Sequence, residues 1–179
     1  MAQSSAGPDV ERGASIRLLW TGFAVLLADQ VTKKLIVSLM ALGHSVDILG
    51  PSVRLTRTEN TGAAFGLLRG RSAIFVVISS LAAVAIVAFR RQIAKLARSE
   101  QFAFALILGG ALGNLVDRVR RGAVIDFIDV GIRDLRWPAF NVADSAIVIG
   151  VTLLAVRFLF FARPGAPDLL PPTPDRETP

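Results

Sequence analysis

Long apolar blocks alternate with polar stretches along the chain, and four of these blocks predict helices that cross a membrane. The blocks fall at about residues 16–35, 72–89, 102–117 and 142–162. A helix needs roughly 20 apolar residues to cross the hydrocarbon core of a bilayer. The second block has no charged residue in its eighteen positions. We therefore predict an all-α integral membrane protein with four transmembrane helices.

The connection after the first block, residues 36–71, carries a different pattern. Apolar and polar residues alternate in VRLTRT at 53–58, and a period of two indicates a strand. Asn-Thr-Gly at 60–62 predicts a turn, and Ala-Ala-Phe-Gly at 63–66 has little side-chain bulk. This run is either a plain turn or a bare backbone on which a peptide can lie. We predict a small extracytoplasmic β-sheet in this first outer loop.

The pattern gives one membrane domain, residues 16–163, between two polar tails. Residues 1–15 are small and polar and residues 164–179 are rich in proline, so we predict that both tails are disordered. Four spans place both termini on the same side of the membrane. The short second loop is dense in basic residues, which favours a cytoplasmic location, so we expect cytoplasmic termini. Its basic residues are Arg90, Arg91, Lys95 and Arg98.

Composition supports a membrane protein and narrows its chemistry. The chain is 53% hydrophobic with a net charge of +6, and its mean hydropathy is +0.56. Its arginines are scattered between the apolar blocks, which favours anionic phospholipid rather than nucleic acid as the partner. There is no cysteine and only one histidine, His44. A thiol nucleophile is therefore excluded, and a Ser-His-Asp triad or a His-rich metal site has almost no histidine to build with. We expect no metal and no cofactor.

Two carboxylates stand out in the stretch 109–145, which holds five of the fourteen acidic residues. Taken singly, Asp126 could cap a short helix or pair with an arginine, and Asp144 forms a capping-box pattern with Asn141. Together, Asp126 and Asp144 lie at two ends of one loop, each beside apolar sequence. Two neighbouring carboxylates in such surroundings cannot both ionise easily, so one keeps a proton. A pair of this kind can activate water against an amide bond.

Other polar and small residues allow structural explanations. Asp29 and Lys33 stand one helical turn apart, either as an ion pair at a helix end or as part of an internal polar site. Gly109 and Gly113 predict close helix packing. Asp117 precedes Arg118, and we assign it to structural pairing.

Five segments, in this order, resemble the lipoprotein signal peptidases, the type II signal peptidases of bacteria, which are intramembrane aspartyl proteases. They read ADQVTK at 28–33, ENTGAAFG at 59–66, GGALGNLVDR at 109–118, VIDFI at 124–128 and FNVADS at 140–145. Each segment alone is a weak signal, but five in order between four apolar blocks are specific. The resemblance covers about residues 16–163 and shows no departure within the segments.

The resemblance implies a role for each matching residue. Asp126 and Asp144 would be the catalytic pair. The supporting and substrate-binding residues would be Asn60, Gly62, Asn114, Arg118, Asn141, Asp29 and Lys33. For Asp29 and Lys33 a structural role is as well supported as a direct one.

The resemblance also implies a substrate and a location. The substrate would be a prolipoprotein whose cysteine carries a diacylglyceryl group, cut on the amino side of that cysteine. The enzyme would lie in the bacterial cytoplasmic (inner) membrane as a multi-pass protein, with its active site toward the extracytoplasmic face. We expect a monomer surrounded by phospholipid.

Two other classes of protein remain as alternatives. In a small proton-coupled transporter, Asp29, Asp126 and Asp144 would form a relay, although the acids cluster toward one side and no second half repeats the first. A non-catalytic scaffold would explain each carboxylate as a cap or an ion pair, but it leaves the bare segment at 60–66 without a purpose.

Overall fold

The computed structural model describes residues 8–62, 72–133 and 135–161, and these contain five helices and four strands. The helices are α1 (Pro8–Leu39), α2 (Ser72–Ala88), α3 (Arg90–Ile93), α4 (Arg98–Arg121) and α5 (Val142–Phe161). The strands are β1 (Ser45–Leu49), β2 (Val53–Asn60), β3 (Val124–Ile132) and β4 (Leu135–Arg136).

Three of the described helices, α1, α4 and α5, are long and apolar enough to cross a membrane. Helix α2 is apolar but shorter, with 17 residues. A helical, membrane-type protein with a small antiparallel sheet is therefore confirmed. The fourth span stays a prediction.

Helix α4 is the centre of the helical bundle and packs against α1, α2 and α5. Its closest approaches use glycines. A Cβ atom added at Gly109 would lie 2.5 Å from the carbonyl oxygen of Gly22 in α1, and one at Gly113 would lie 2.5 Å from Asp29 Oδ2. The predicted close packing at these two glycines is confirmed.

Helix α1 begins earlier than the sequence pattern indicates. Residues 8–15, which we assigned to a disordered tail, are helical, so the prediction is wrong for them. The reason is tertiary contact with the short loop after α2: Ala14 is buried, Ser15 Oγ lies 3.5 Å from the carbonyl oxygen of Arg90, and Glu11 lies 3.6 Å from Lys95 Nζ. The predicted disorder of residues 1–7 and 164–179 lies outside the described residues.

The sheet is antiparallel, in the order β1-β2-β3-β4, and it differs from the prediction in its origin. Only β1 and β2 come from the first loop, whereas β3 and β4 come from the connection between α4 and α5. The hydrophobic pattern does not indicate β3, because Val124–Phe127 are buried on both faces. The strand therefore has a continuous apolar run instead of an alternation of apolar and polar residues. Asp126 therefore lies in a strand, paired with Thr58, and does not cap a helix.

The sheet lies at one end of the bundle, where α1 and α4 end and α5 begins. Arg57 of β2 connects the two parts: its Nη1 donates to the carbonyl oxygens of Met40 at 2.8 Å and Val37 at 3.3 Å. Val37 lies in the last turn of α1 and Met40 directly follows the helix, and carbonyl oxygens at a helix end have no acceptor role left within the helix. The opposite end holds α3, the start of α1 and the end of α5, where Arg157 meets Glu100 at 3.6 Å. Both ends of the described chain thus lie away from the sheet.

Candidate active site

Asp126 is a nearly inaccessible carboxyl group on β3, with 3% of its surface exposed. Its Oδ2 accepts a hydrogen bond from Asn60 Nδ2 at 3.1 Å, and its Oδ1 accepts one from Asn141 Nδ2 at 2.7 Å. Burial, and after it the charge of Asp144, raises the pKa of Asp126 to about 7, although these two amide donors and Lys33 act in the opposite direction. A proton therefore resides on this group at mildly acidic pH.

Asp144 lies in the first turn of α5 and takes part in the predicted capping box. Its backbone N–H donates to Asn141 Oδ1 at 2.9 Å, and the backbone N–H of Asn141 donates back to Asp144 Oδ2 at 3.3 Å. The other carboxylate oxygen, Oδ1, accepts from Asn114 Nδ2 at 2.7 Å. The capping role is confirmed, and it does not compete with a place beside Asp126, because one fully buried residue, Asn141, contacts both carboxylates.

A buried ion cluster lies behind Asp144, between α1 and α4. Lys33 Nζ is 2.8 Å from Asp29 Oδ2 and 2.8 Å from Asp117 Oδ2, and it donates to Asn114 Oδ1 at 3.0 Å. Asp29 Oδ1 also accepts the backbone N–H of Ala143 at 2.9 Å. Asp29 and Lys33 thus belong to an internal polar site, which is one of the two explanations given above. Asp117 has the structural ion pair that we assigned to it, and its partner is Lys33.

Gln30 belongs to this cluster and was missed by the sequence analysis. Its Nε2 lies 3.2 Å from Asp29 Oδ2, 3.2 Å from the carbonyl oxygen of Gly113 and 3.3 Å from Asp117 Oδ1. The available signal was a second polar residue inside an apolar helix, directly beside Asp29. An uncharged amide attracts less notice than an acid, but its cost of burial also demands partners.

Arg118 and Gly62 complete the site on the side of β2. The backbone N–H of Gly62 donates to Asn60 Oδ1 at 2.9 Å. Arg118 donates to the carbonyl oxygens of Asn114 at 3.3 Å and Gly62 at 3.5 Å, and its guanidinium carbon lies 5.0 Å from the centre of the Phe75 ring. The bare segment predicted at 63–66 lies outside the described residues.

The nine residues singled out from the sequence therefore meet in one connected network at the sheet end of the bundle. They are Asn60, Gly62, Asn114, Arg118, Asp126, Asn141, Asp144, Asp29 and Lys33. No group of acidic residues or histidine is placed to hold a metal ion within the residues that the structure describes.

Asp129 lies three residues after Asp126 on β3. Its contacts and its pKa differ from those of Asp126. Arg136 Nε lies 2.5 Å from Asp129 Oδ1, and Thr56 Oγ1 and Arg54 Nη2 lie 2.8 and 3.3 Å from Oδ2. Burial alone would raise the pKa of Asp129, but the hydrogen bonds from Arg136 and Thr56 and the charges of both arginines outweigh it and lower that pKa. Asp126 has no arginine in direct contact among its described partners and keeps a raised pKa instead.

Comparison with known proteins finds relatives of this chain among bacterial signal peptidases. The family model described as signal peptidase II matches residues 21–160. A lipoprotein signal peptidase of Geobacillus kaustophilus is 43% identical over 145 residues, 81% of this chain and 94% of that protein. One of Bacillus subtilis strain 168 is 41% identical over 135 residues, 75% and 88% of the two chains. A solved structure of a bacterial membrane enzyme superposes with a TM-score of 0.73 at 38% identity, over 82% of this chain and 88% of that one.

Proposed function

Since this chain belongs to the signal peptidase II family, a family of peptidases, we propose that it cleaves prolipoprotein signal peptides with Asp126 and Asp144 as an aspartyl pair. The observation that carries the proposal is the position of Asn141. This buried residue donates to Asp126 from its side chain and to Asp144 from its backbone, so it holds both carboxylates at one point. The raised pKa of Asp126 supports a proton shared at that point near neutral pH.

The chemistry needs only water and the pair. One carboxylate, ionised, takes a proton from water as the water oxygen bonds to the carbonyl carbon of the scissile amide. The other, protonated, gives its proton to the carbonyl oxygen. When the tetrahedral intermediate collapses, the carbon–nitrogen bond breaks and the leaving nitrogen takes up a proton. Each carboxyl group returns to its starting state.

The supporting residues would act by position. Asn114 and Asn141 donate to the pair and hold its oxygens in place. Arg118 reaches from α4 to the end of β2, where Asn60 and Gly62 would lie against the substrate backbone. Asp29 and Lys33 hold the start of α5 and the Asn114 amide from behind. Fixed donors of this kind stabilise charge that develops during reaction.

The substrate we propose is a prolipoprotein carrying a diacylglyceryl group on the cysteine that follows the cut. The pair lies where helices long enough to cross a membrane meet the sheet, so a bond at the end of a signal helix could reach it while the lipid chains remain in the bilayer. We propose that the enzyme is a monomer in the bacterial inner membrane, with cytoplasmic termini and an extracytoplasmic site. The location of both described chain ends away from the sheet supports this orientation. The transporter alternative receives no support from the relatives.

The test is cleavage of a diacylglyceryl-modified proprotein by purified, detergent-solubilised protein. Asp126→Asn and Asp144→Asn should each abolish cleavage, a loss of at least about 100-fold, while both proteins remain folded by circular dichroism and size-exclusion chromatography. Asp47→Asn is the matched control, because Asp47 is an exposed acid on β1 and should leave the rate unchanged. Wild-type rates in either pair variant would refute the aspartyl mechanism.

A further inference from the structure

The side-chain amide of Asn114 has only one possible direction. Lys33 Nζ lies 3.0 Å from the Asn114 atom taken as oxygen, and an ammonium group donates but never accepts. The atom facing Lys33 is therefore oxygen. The amino group of Asn114 must then face Asp144, whose Oδ1 lies 2.7 Å away.

The other amides of the network are fixed in the same way. A backbone N–H, which also only donates, lies 2.9 Å from the side-chain oxygen of both Asn141 and Asn60. Both amino groups must therefore face Asp126. The donors around both carboxylates follow from groups whose polarity cannot change.

The surroundings of the two carboxylates differ in ways that separate their charges. Asp144 is half-buried and lies in the first turn of α5, where the positive end of the helix dipole favours an anion. Each carboxylate accepts from two donors fixed as above: Asp144 from the Asn114 amino group and the Asn141 backbone N–H, and Asp126 from the amino groups of Asn60 and Asn141. Asp126 is 3% exposed and lies in a strand, outside the first turn of α5. Its raised pKa agrees with a carboxyl group that keeps its proton.

Among the described residues, the cations near the pair come from two helices, α1 and α4. The charge of Arg118 in α4 interacts most strongly with Asp144, then with Asp126 and then with Asp117, so it favours an anion at Asp144 over one at Asp126. Lys33 is shared between Asp29 and Asp117 at 2.8 Å each, and this cluster carries a net charge of −1 when all three are ionised. The charge of Lys33 also favours the ionised form of Asp126. A specific effect of Lys33 on Asp144 therefore passes through the hydrogen bond that Lys33 makes to the Asn114 amide.

We propose that Lys33 is a positioning residue, which acts through the amide of Asn114 to make Asp144 the ionised, water-activating member of the pair and leaves the proton on Asp126. This assignment rests on the proposed function and gives each of the two carboxyl groups a separate catalytic role. Asp144 takes the proton of water while Asp126 gives its own to the carbonyl oxygen. On collapse, Asp126 recovers that proton as the carbonyl re-forms, and Asp144 passes the water proton to the leaving nitrogen.

The location of the proton can be measured without activity, by infrared spectroscopy of protein carrying ¹³C-labelled aspartate at about pH 5, between the ordinary and the raised carboxyl pKa. The band of a protonated carboxyl group should be lost in Asp126→Asn and retained in Asp144→Asn. Loss in Asp144→Asn with retention in Asp126→Asn would overturn the assignment.

The role of Lys33 is tested by the pH profile of kcat/KM for Lys33→Gln, whose side chain can present either an oxygen or an amino group to Asn114. The acid limb, which reports ionisation of the base, should move up, because the Asn114 amide that donates to Asp144 is then fixed only by the 3.3 Å bond from Asn141. The alkaline limb should stay in place, kcat should fall by about 100-fold and KM should change little. A merely structural role would reduce the amount of active enzyme and leave both limbs unmoved, and that result would refute the proposal.

Two further variants keep this test decisive. Asn114→Leu removes the amide but leaves Lys33 paired with Asp29 and Asp117, so it should reproduce the shift even if Lys33→Gln does not fold. Lys95→Gln changes the same residue type at the opposite end of the bundle, where Lys95 is exposed and meets only Glu11 among its described ion pairs, and should leave the profile unchanged. Failure of the proposed function is distinguished because it would appear in the two aspartate variants as cleavage at the wild-type rate.

Discussion

Asn141 donates from its side chain to Asp126 over 2.7 Å, although the two are fifteen positions apart along the chain, with most of β3 and all of β4 between them. The same residue caps α5 through its side-chain oxygen. One buried amide therefore fixes both the start of a helix and the position of a carboxyl group on a strand. Capping and catalysis can be separated here, because they use different atoms of Asn141.

Asn141→Ser should separate the capping role of Asn141 from its role at Asp126. Serine caps helices about as well as asparagine. The free energy of unfolding should still fall by about 1–3 kcal/mol, because the Asn141 amide donates to the carbonyl oxygen of Ile125 and to Asn114 Oδ1 as well as to Asp126. Serine cannot reach Asp126, so cleavage should fall by about 100-fold as that carboxyl group loses its place. Thermal unfolding in detergent and kcat/KM would be measured together. Near wild-type cleavage by Asn141→Ser would show that the bond to Asp126 is dispensable.

The pKa of Asp126 predicts how activity and stability depend on pH. Because the pKa is raised from 3.8 to about 7 by burial and by Asp144, cleavage should decline above neutral pH, as the pair loses its shared proton. For stability, the folded protein holds a proton that the unfolded chain releases above its ordinary pKa. The contribution of Asp126 is therefore fully present below 3.8 and is lost as the pH rises to about 7.

Asp126→Asn tests the stability part of that prediction. The asparagine does not titrate, so the free energy of unfolding of the variant relative to wild type should rise from about pH 4 to pH 7, by on the order of a few kcal/mol at most. Asp47→Asn, at an exposed position, should show no such trend. A difference that is constant with pH would mean that Asp126 is ionised throughout the range.

The sequence predicts the helices and the site more fully than the sheet. Apolar blocks indicate the helices, and the three-residue spacing of Asn141 and Asp144 indicates a capping box. No such pattern indicates strand β3, because both of its faces are buried along Val124–Phe127 and apolar and polar residues do not alternate there. Its pairing with β2 is a contact between residues more than sixty positions apart, which local patterns do not contain.

The residues of the site could be chosen from the sequence because charged and amide groups are rare in apolar surroundings. The sequence does not show which of these residues form hydrogen bonds or ion pairs with one another. The link from Asp29 to the backbone of Ala143 spans 114 positions, and the contact between Lys33 and Asn114 spans 81. Gln30 was overlooked for the same reason, since its three acceptors become neighbours only when α4 packs against α1.

Gly113→Ala should damage the site through packing. The added Cβ would lie 2.5 Å from Asp29 Oδ2 and 3.2 Å from Ala143 Cβ, so Asp29 must move away from Lys33 or α5 must move away from α4. We expect a loss of about 1–3 kcal/mol in stability and a fall in cleavage. Gly13→Ala in α1 is the control, because its Cβ would meet nothing closer than Arg17 Nη1 at 3.6 Å. There the better helix former should be neutral or stabilising, by up to about 1 kcal/mol.

Arg57 should matter for activity although it lies outside the carboxylate network. Its bonds to the carbonyl oxygens of Met40 and Val37 hold β2 against the end of α1, and β2 carries Asn60 to Asp126. Arg57→Ala should lower stability by about 1–2 kcal/mol, because two helix-end carbonyls lose a charged donor. Cleavage should fall several-fold more than the loss of folded protein explains, measured as kcat per folded enzyme. Arg91→Ala, the same change at an exposed residue of α3, should alter neither quantity, and equal effects of the two substitutions would refute a specific role for the link between β2 and α1.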